Sequence, residues 1–214
     1  MAHHAAFVIR SVALLITALC AACSAPDRSR ALGDANISGK TVAVQVCATC
    51  HGSTGISTSP AFPNLAGQQV NYLVTQLNSF RSHRRSDPKG HEYMWGMSSP
   101  LTDGQIKALG DYYSSQLPAP KRPENSSASA EGRVIYEKGV AATGVVACIA
   151  CHGSLAEGNA QFPRLAGQHA DYLVKQLQIF ASTNMRPDGV AMKGIAHALT
   201  TQNMKNVAEY LQSM

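Results

Sequence analysis

Cys47-Ala48-Thr49-Cys50-His51 and Cys148-Ile149-Ala150-Cys151-His152 are one arrangement written twice. Two cysteines three positions apart can each form a thioether to a haem vinyl group. A histidine directly after them lies beneath the porphyrin, where it can bind iron. A bare Cys-x-x-Cys also suits a redox dithiol, a zinc half-site or a disulfide. The adjacent histidine, present in both copies, argues against those readings. The sequence therefore predicts two covalently bound haems c, one held by Cys47, Cys50 and His51 and the other by Cys148, Cys151 and His152. The iron chemistry belongs to the cofactor and is tuned by its axial ligands.

The duplication extends well beyond the motif. Phe62-Pro63-Asn64-Leu65-Ala66-Gly67-Gln68 recurs as Phe162-Pro163-Arg164-Leu165-Ala166-Gly167-Gln168. Tyr72-Leu73-Val74-Thr75-Gln76-Leu77 recurs as Tyr172-Leu173-Val174-Lys175-Gln176-Leu177, and Phe80 matches Phe180. This is a doubled domain rather than a short solenoid period. Between the copies, Leu117-Pro118-Ala119-Pro120-Lys121-Arg122-Pro123 and then Glu124-Asn125-Ser126-Ser127 read as a stiff, then polar, linker. The expected division is residues 34–117, a linker over 118–129, and residues 130–214.

Each copy reads as helical. Ser38 to about Val46 is a short amphipathic helix entering the first motif, and its counterpart begins near Ala130, with Gly139–Ala147 an extra loop before Cys148. Apolar residues fall at helical spacing over Gln68–Arg81 and Gln168–Ser182. Thr102-Asp103-Gly104-Gln105 has the form of a capping box, opening a helix with Ile106, Leu109 and Tyr113 on one face. No strand pattern competes, so the predicted class is all-α.

Composition agrees with a haem-filled core. The 214 residues suffice for two small domains, and only 6% are aromatic, a deficit that a large flat apolar cofactor offsets. The formal charge of +5 comes from 18 basic and 13 acidic residues spread along the chain. Nucleic-acid binding would want a concentrated basic stripe. The one local cluster, Arg81 to Arg85, is short, so no nucleic-acid partner is expected.

Residues 1–25 read as an export signal: Arg10 supplies the basic region, and Val12 to Ala22 is apolar apart from Thr17. Three outcomes stay open. Cleavage before Ala25 would release the body. Lipidation at Cys23 fits the lipobox-like Leu19-Cys20-Ala21-Ala22-Cys23, although Cys20 stands where that pattern wants leucine. Retention would leave an N-terminal membrane anchor. Every outcome puts the body outside the cytoplasmic membrane, in the periplasm.

The sixth iron ligand decides between binding chemistry and electron transfer. Met94, Met97 and His91 are the candidates in the first copy. Aligning Leu101-Thr102 with Leu199-Thr200 sets Met94 against Met192, Met97 against Ile195 and His91 against Gly189. Only Met94 and Met192 recur, which makes them the expected thioether ligands and leaves Met97 a packing residue. Met185 and Met204 have no methionine counterpart and read as core or surface. His83, His169 and His197 lack histidine counterparts and read as ordinary surface or packing residues. A metal-bound histidine usually donates its other ring N–H to a fixed acceptor. Pro63 and Pro163, at similar distances after the two histidines, are the expected carbonyl acceptors.

Taken together, these residues make residues 34–214 resemble the dihaem cytochrome c4 family. The resemblance rests on both haem motifs, both Phe-Pro-x-Leu-Ala-Gly-Gln stretches, both Tyr-Leu-Val-x-Gln-Leu helices and both methionines ahead of Leu-Thr. It implies two class I cytochrome c domains related by pseudo-twofold symmetry, with haem propionate edges facing across the interface. It also implies His51 with Met94, and His152 with Met192, as axial pairs. The implied role is a periplasmic carrier from the cytochrome bc complex to a haem-copper terminal oxidase. The Gly139–Ala147 loop and Trp95 depart from the pattern. Two other functions compete: the cytochrome subunit of a periplasmic dehydrogenase, and a dihaem enzyme of the peroxidase kind. The enzyme needs an open iron site, whereas the sequence offers each iron a methionine.

Overall fold

The computed structural model describes residues 32–123 and 126–214. The export-signal reading of residues 1–25, with Cys20 and Cys23, lies outside the described residues. No helix among the described residues is long and apolar enough to cross a membrane.

The first half begins at α1 (Gly39–Val42), capped by Ser38, whose hydroxyl accepts the Thr41 N–H at 3.1 Å. The helix does not end at Val46. It runs on through a π-helical stretch, Ala43–Cys47, into α2 (Ala48–His51), so the haem motif is the last turn of one helical run. Gly52, at φ +76°, then turns the chain away, and a Cβ there would meet the Ile56 carbonyl at 2.2 Å. After the Phe-Pro segment come α3 (Val70–Arg81), a π-helical stretch Gly90–Met94, α4 (Trp95–Ser98) and α5 (Asp103–Ser114). Thr102 and Gln105 close a reciprocal capping box on α5.

The second half repeats the order: α6 (Ser127–Lys138), α7 (Ile149–His152), α8 (Ala170–Ser182), α9 (Val190–His197) and α10 (Thr201–Ser213). α6 opens three residues ahead of Ala130, because the Ser126 hydroxyl caps it by accepting the Ser129 N–H at 3.1 Å. The Gly139–Ala147 insertion closes on itself through hydrogen bonds between Val140 and Val145 around a 3-10 turn, Ala141–Thr143. Isolated bridges of this kind are the only β pairing among the described residues. The protein is all-α.

In each half the first helix crosses the last where a glycine allows close approach. A Cβ on Gly39 would stand 2.4 Å from Ala108 Cβ, and one on Gly132 would stand 2.0 Å from the Asn206 carbonyl oxygen. Around these crossings lie two apolar cores. One gathers Val42, Leu73, Ile106, Leu109 and Tyr113, and the other Tyr136, Leu173, Met204, Val207 and Leu211. Their side chains leave water almost completely, which is the main stabilising contribution of each half.

α3 and α8 each start two residues later than the periodicity predicts, at Val70 and Ala170. The cause is tertiary. Gly67 and Gly167 take positive φ, and Gln68 and Gln168 leave the helical path to hydrogen-bond the opposite half. The linker is not free either: Pro118 lies against Gly67, Ala119 against Gly167, and Arg122 N–H donates to the Ser213 carbonyl at 3.0 Å.

Candidate haem sites

Each site is built on the end of a short helix. His51 and His152 close α2 and α7 and are 7% and 6% exposed, so their rings sit inside the fold. His51 Nδ1 lies 2.9 Å from the Pro63 carbonyl oxygen, and His152 Nδ1 lies 2.9 Å from that of Pro163. Proline offers a carbonyl with no competing N–H of its own. The contact makes Nδ1 the donor and leaves Nε2 as the nitrogen with a free lone pair, the tautomer an iron ligand requires. Burial holds both imidazoles below the ordinary histidine range, against the opposing pull of the proline carbonyls, so both are neutral.

Phe62 and Phe162 pack edge-on against these rings, with centroids 6.1 and 6.2 Å away. In the first half the stacking continues: Tyr93 meets Phe62 edge-on at 5.8 Å. Tyr93 precedes Met94, so the histidine and methionine segments are joined through two ring contacts. Met94 ends the π-helical stretch before α4, Met192 lies in α9, and both are half-buried.

Met97 corrects the packing expectation. It is 44% exposed, because α4 turns the fully buried Ser98 inward, where its hydroxyl donates to the Met94 carbonyl at 2.5 Å. Met204 is core and Met185 is surface. His91 is exposed and meets Trp95 edge-on, while His83 stacks on the same indole at 4.1 Å. His197 is exposed. His169 is more than packing: its buried Nε2 donates to the Ser57 carbonyl, in the other half, at 3.0 Å.

The donor set fits haem c. Burial pushes the Cys47 and Cys148 thiols up to about 11, which makes poor redox thiolates of them, and the four motif cysteines form no disulfide. No cluster of three or more His, Cys, Asp or Glu among the described residues could hold a metal ion alone. Iron at these sites needs the equatorial nitrogens of a porphyrin, which the Cys-x-x-Cys spacing is suited to tether. Bound there, haem supplies a one-electron ferric–ferrous couple.

Between the halves lies a network the sequence reading missed. Arg186 donates to Gln176 Oε1 at 2.7 Å in its own half and to Tyr72 Oη at 2.8 Å in the other. Arg85 mirrors it, donating to Gln76 Oε1 at 2.7 Å and to Tyr172 Oη at 3.4 Å. Each guanidinium also stands over a phenylalanine, Arg85 on Phe80 and Arg186 on Phe180. The signal was the recurrence of Tyr72/Tyr172 and Gln76/Gln176, which helical spacing alone assigns to a core face. Arg85 and Arg186 escaped notice because they fall five and six residues after their phenylalanines. The symmetry breaks at Asp87, which pairs with Arg85 at 2.6 Å in a buried ion pair. Burial opposes ionisation of Asp87, but the charge and hydrogen bond of Arg85 outweigh it and hold the carboxyl below its usual range. Trp95 ties the first site to this network, its Nε1 donating to the Arg85 carbonyl at 2.7 Å.

Two buried, proline-oriented histidines on tandem helical units define a c-type cytochrome. The family model described as Cytochrome c matches residues 37–116 and 129–214. The chain is 39% identical over 181 residues to cytochrome c4 of Thiocapsa roseopersicina, spanning 82% of this chain and 91% of the relative. It is 34% identical over 170 residues to the thiosulfate dehydrogenase electron acceptor of Thiomonas intermedia, spanning 77% and 76%. The crystal structure of reduced recombinant cytochrome c4 from Pseudomonas stutzeri superposes with a TM-score of 0.75 at 33% identity, over 82% of this chain and 96% of that one. The chain belongs to the dihaem cytochrome c4 family: an electron-transport protein with two covalently attached haems c.

Proposed function

We propose that this protein is a periplasmic carrier with no substrate of its own, taking electrons from the cytochrome bc complex and delivering them to a haem-copper terminal oxidase. Its two domains are residues 34–117 and 130–214, joined by 118–129. His51 and Met94 close one iron, and His152 and Met192 the other. The observation that carries the reading is the matched pair of buried histidines, each within hydrogen-bond distance of a proline carbonyl, with a methionine recurring at one aligned position. Nitrogen on one side and sulfur on the other leave no site for a substrate, and thioether ligation favours ferrous iron.

The residues divide the work. Pro63 and Pro163 fix the imidazole planes, Phe62 and Phe162 exclude water from their edges, and the interface network holds the two sites at a constant separation. Docking would be transient, as redox encounters generally are.

The second reading is a cytochrome that accepts electrons from a dehydrogenase, and the likeness to the Thiomonas electron acceptor favours it. Rapid mixing separates the two. Reduced protein oxidised quickly by oxidase-containing membranes, and left oxidised by thiosulfate plus thiosulfate dehydrogenase, supports the respiratory carrier. The reverse pattern overturns it in favour of the dehydrogenase partner.

A further inference from the structure

Trp95 is the only tryptophan among the 214 residues, and it follows Met94 directly. The second half has no match for it. Aligning the two methionines sets Trp95 against Lys193, an exposed residue whose ammonium reaches Asn184 of its own half. The backbone differs as well. Met192 lies within the regular helix α9, whereas Met94 ends the π-helical stretch Gly90–Met94, where the ladder of hydrogen bonds is one residue out of step. Side-chain contacts therefore carry more of the positioning of Met94.

The indole supplies those contacts. Its Nε1 donates to the Arg85 carbonyl at 2.7 Å, and the His83 ring stacks on it with centroids 4.1 Å apart and planes 11° from parallel. His91 adds an edge-on contact at 4.4 Å. Neither main anchor is loose. His83 holds a left-handed backbone at φ +59°, and its N–H donates to the Phe80 carbonyl at 3.0 Å. Arg85 is 5% exposed, and its N–H donates to the Ser79 carbonyl at 3.1 Å. Asp87 and Gln76 hold its guanidinium from one half, Tyr172 and Gln176 from the other. The residue beside the first methionine is thus fastened to a backbone group that both halves keep in place.

We propose that Trp95 is a positioning residue for the first iron: by tying the Met94 segment to Arg85 it slows the departure of the Met94 thioether, a restraint with no equivalent at Met192. The proposal rests on the reading of Met94 and Met192 as axial ligands. Thioether sulfur binds ferrous iron better than ferric. In the oxidised protein it leaves only as its chain segment swings away, and the indole opposes that swing with one hydrogen bond and one stack.

The test mixes ferric dihaem protein rapidly with excess imidazole and follows displacement of sulfur by the shifted methionine-methyl NMR signals. Met192→Ala identifies the signal of the second haem. Trp95→Phe keeps a ring to stack but has no N–H. It should raise the displacement rate at the first haem on the order of tenfold and leave the second unchanged. His83→Asn, which tolerates the left-handed backbone, removes only the stack and should give a smaller rise. In the unsubstituted protein the indole N–H should exchange with deuterium more slowly than that of free indole. Equal rates at the first haem with and without the indole, equal acceleration at both haems, or an unprotected indole N–H would overturn the proposal. Should Trp95→Phe fail to load haem, His83→Asn decides: a faster first haem supports the restraint and an unchanged one sinks it. Failure of the ligand reading shows separately, as a missing methionine-methyl signal at the first haem of the unsubstituted protein, whereas intact ligation with unmoved rates refutes this proposal alone.

Discussion

Asn64 and Gln168 exchange two hydrogen bonds across the interface: the Asn64 N–H donates to Gln168 Oε1 at 2.8 Å, and Gln168 Nε2 donates to the Asn64 carbonyl at 2.9 Å. Gln68 and Arg164 repeat the exchange with the halves interchanged. Both glutamines are buried, and each satisfies a backbone N–H and a backbone C=O that would otherwise lose water without a replacement. Replacing both by alanine removes the partners of those four part-buried backbone groups, and of the Gln69 and His169 N–H groups that the same side-chain oxygens accept, at about 1–3 kcal/mol for each one left buried and unpaired. We expect calorimetry of Gln68→Ala/Gln168→Ala to resolve two unfolding transitions where the native protein shows one. A single transition at an unchanged temperature would contradict the clasp.

The Arg85–Asp87 pair makes stability depend on pH. The folded Asp87 carboxyl titrates below its unfolded counterpart, which lies near about 4. Its contribution is complete above that value and disappears as pH falls through the folded one. Asp87→Asn should flatten the acid limb of a melting-temperature profile. At neutral pH it should cost about 3–5 kcal/mol, because Arg85 stays buried without its carboxylate.

The helix crossings answer to a single methyl group. Gly132→Ala places a Cβ 2.0 Å from the Asn206 carbonyl oxygen, which belongs to a helix backbone and cannot swing aside. We expect a loss of about 1–3 kcal/mol in denaturant titration. Gly104→Ala, where the neighbouring space is open to 3.9 Å, should be tolerated.

The axial methionines are tested one at a time. Met94→Ala and Met192→Ala should each remove about half of the far-red charge-transfer band of methionine-ligated ferric haem and lower one of the two potentials. Met97→Ala, at an exposed position, should leave both haems unchanged. Spectra left whole by both ligand variants would refute the pairing of His51 with Met94 and of His152 with Met192.

Much was legible in the chain itself. Cys-x-x-Cys-His is a covalent demand: the thioether spacing and the adjacent nitrogen are fixed by the haem, whatever the fold around them. Duplication then supplied a criterion that a single copy lacks, favouring Met94 over Met97 as the proposed ligand because only Met94 recurs. Helical class and the capping box at Thr102 followed from periodicity and side-chain chemistry within a few residues, both local properties.

What tertiary structure alone decided lies between the halves. Gln68, Gln168, Tyr72 and Tyr172 look like helix-start or core residues in one dimension, and only docking turned them into partners of backbone and arginine groups roughly a hundred positions away. The same docking sealed in the ion pair of Arg85 and Asp87 and hid the Nε of Arg164. Local sequence sets which groups can bond. Burial decides which of them must, because only a group removed from water has to find its partner within the protein.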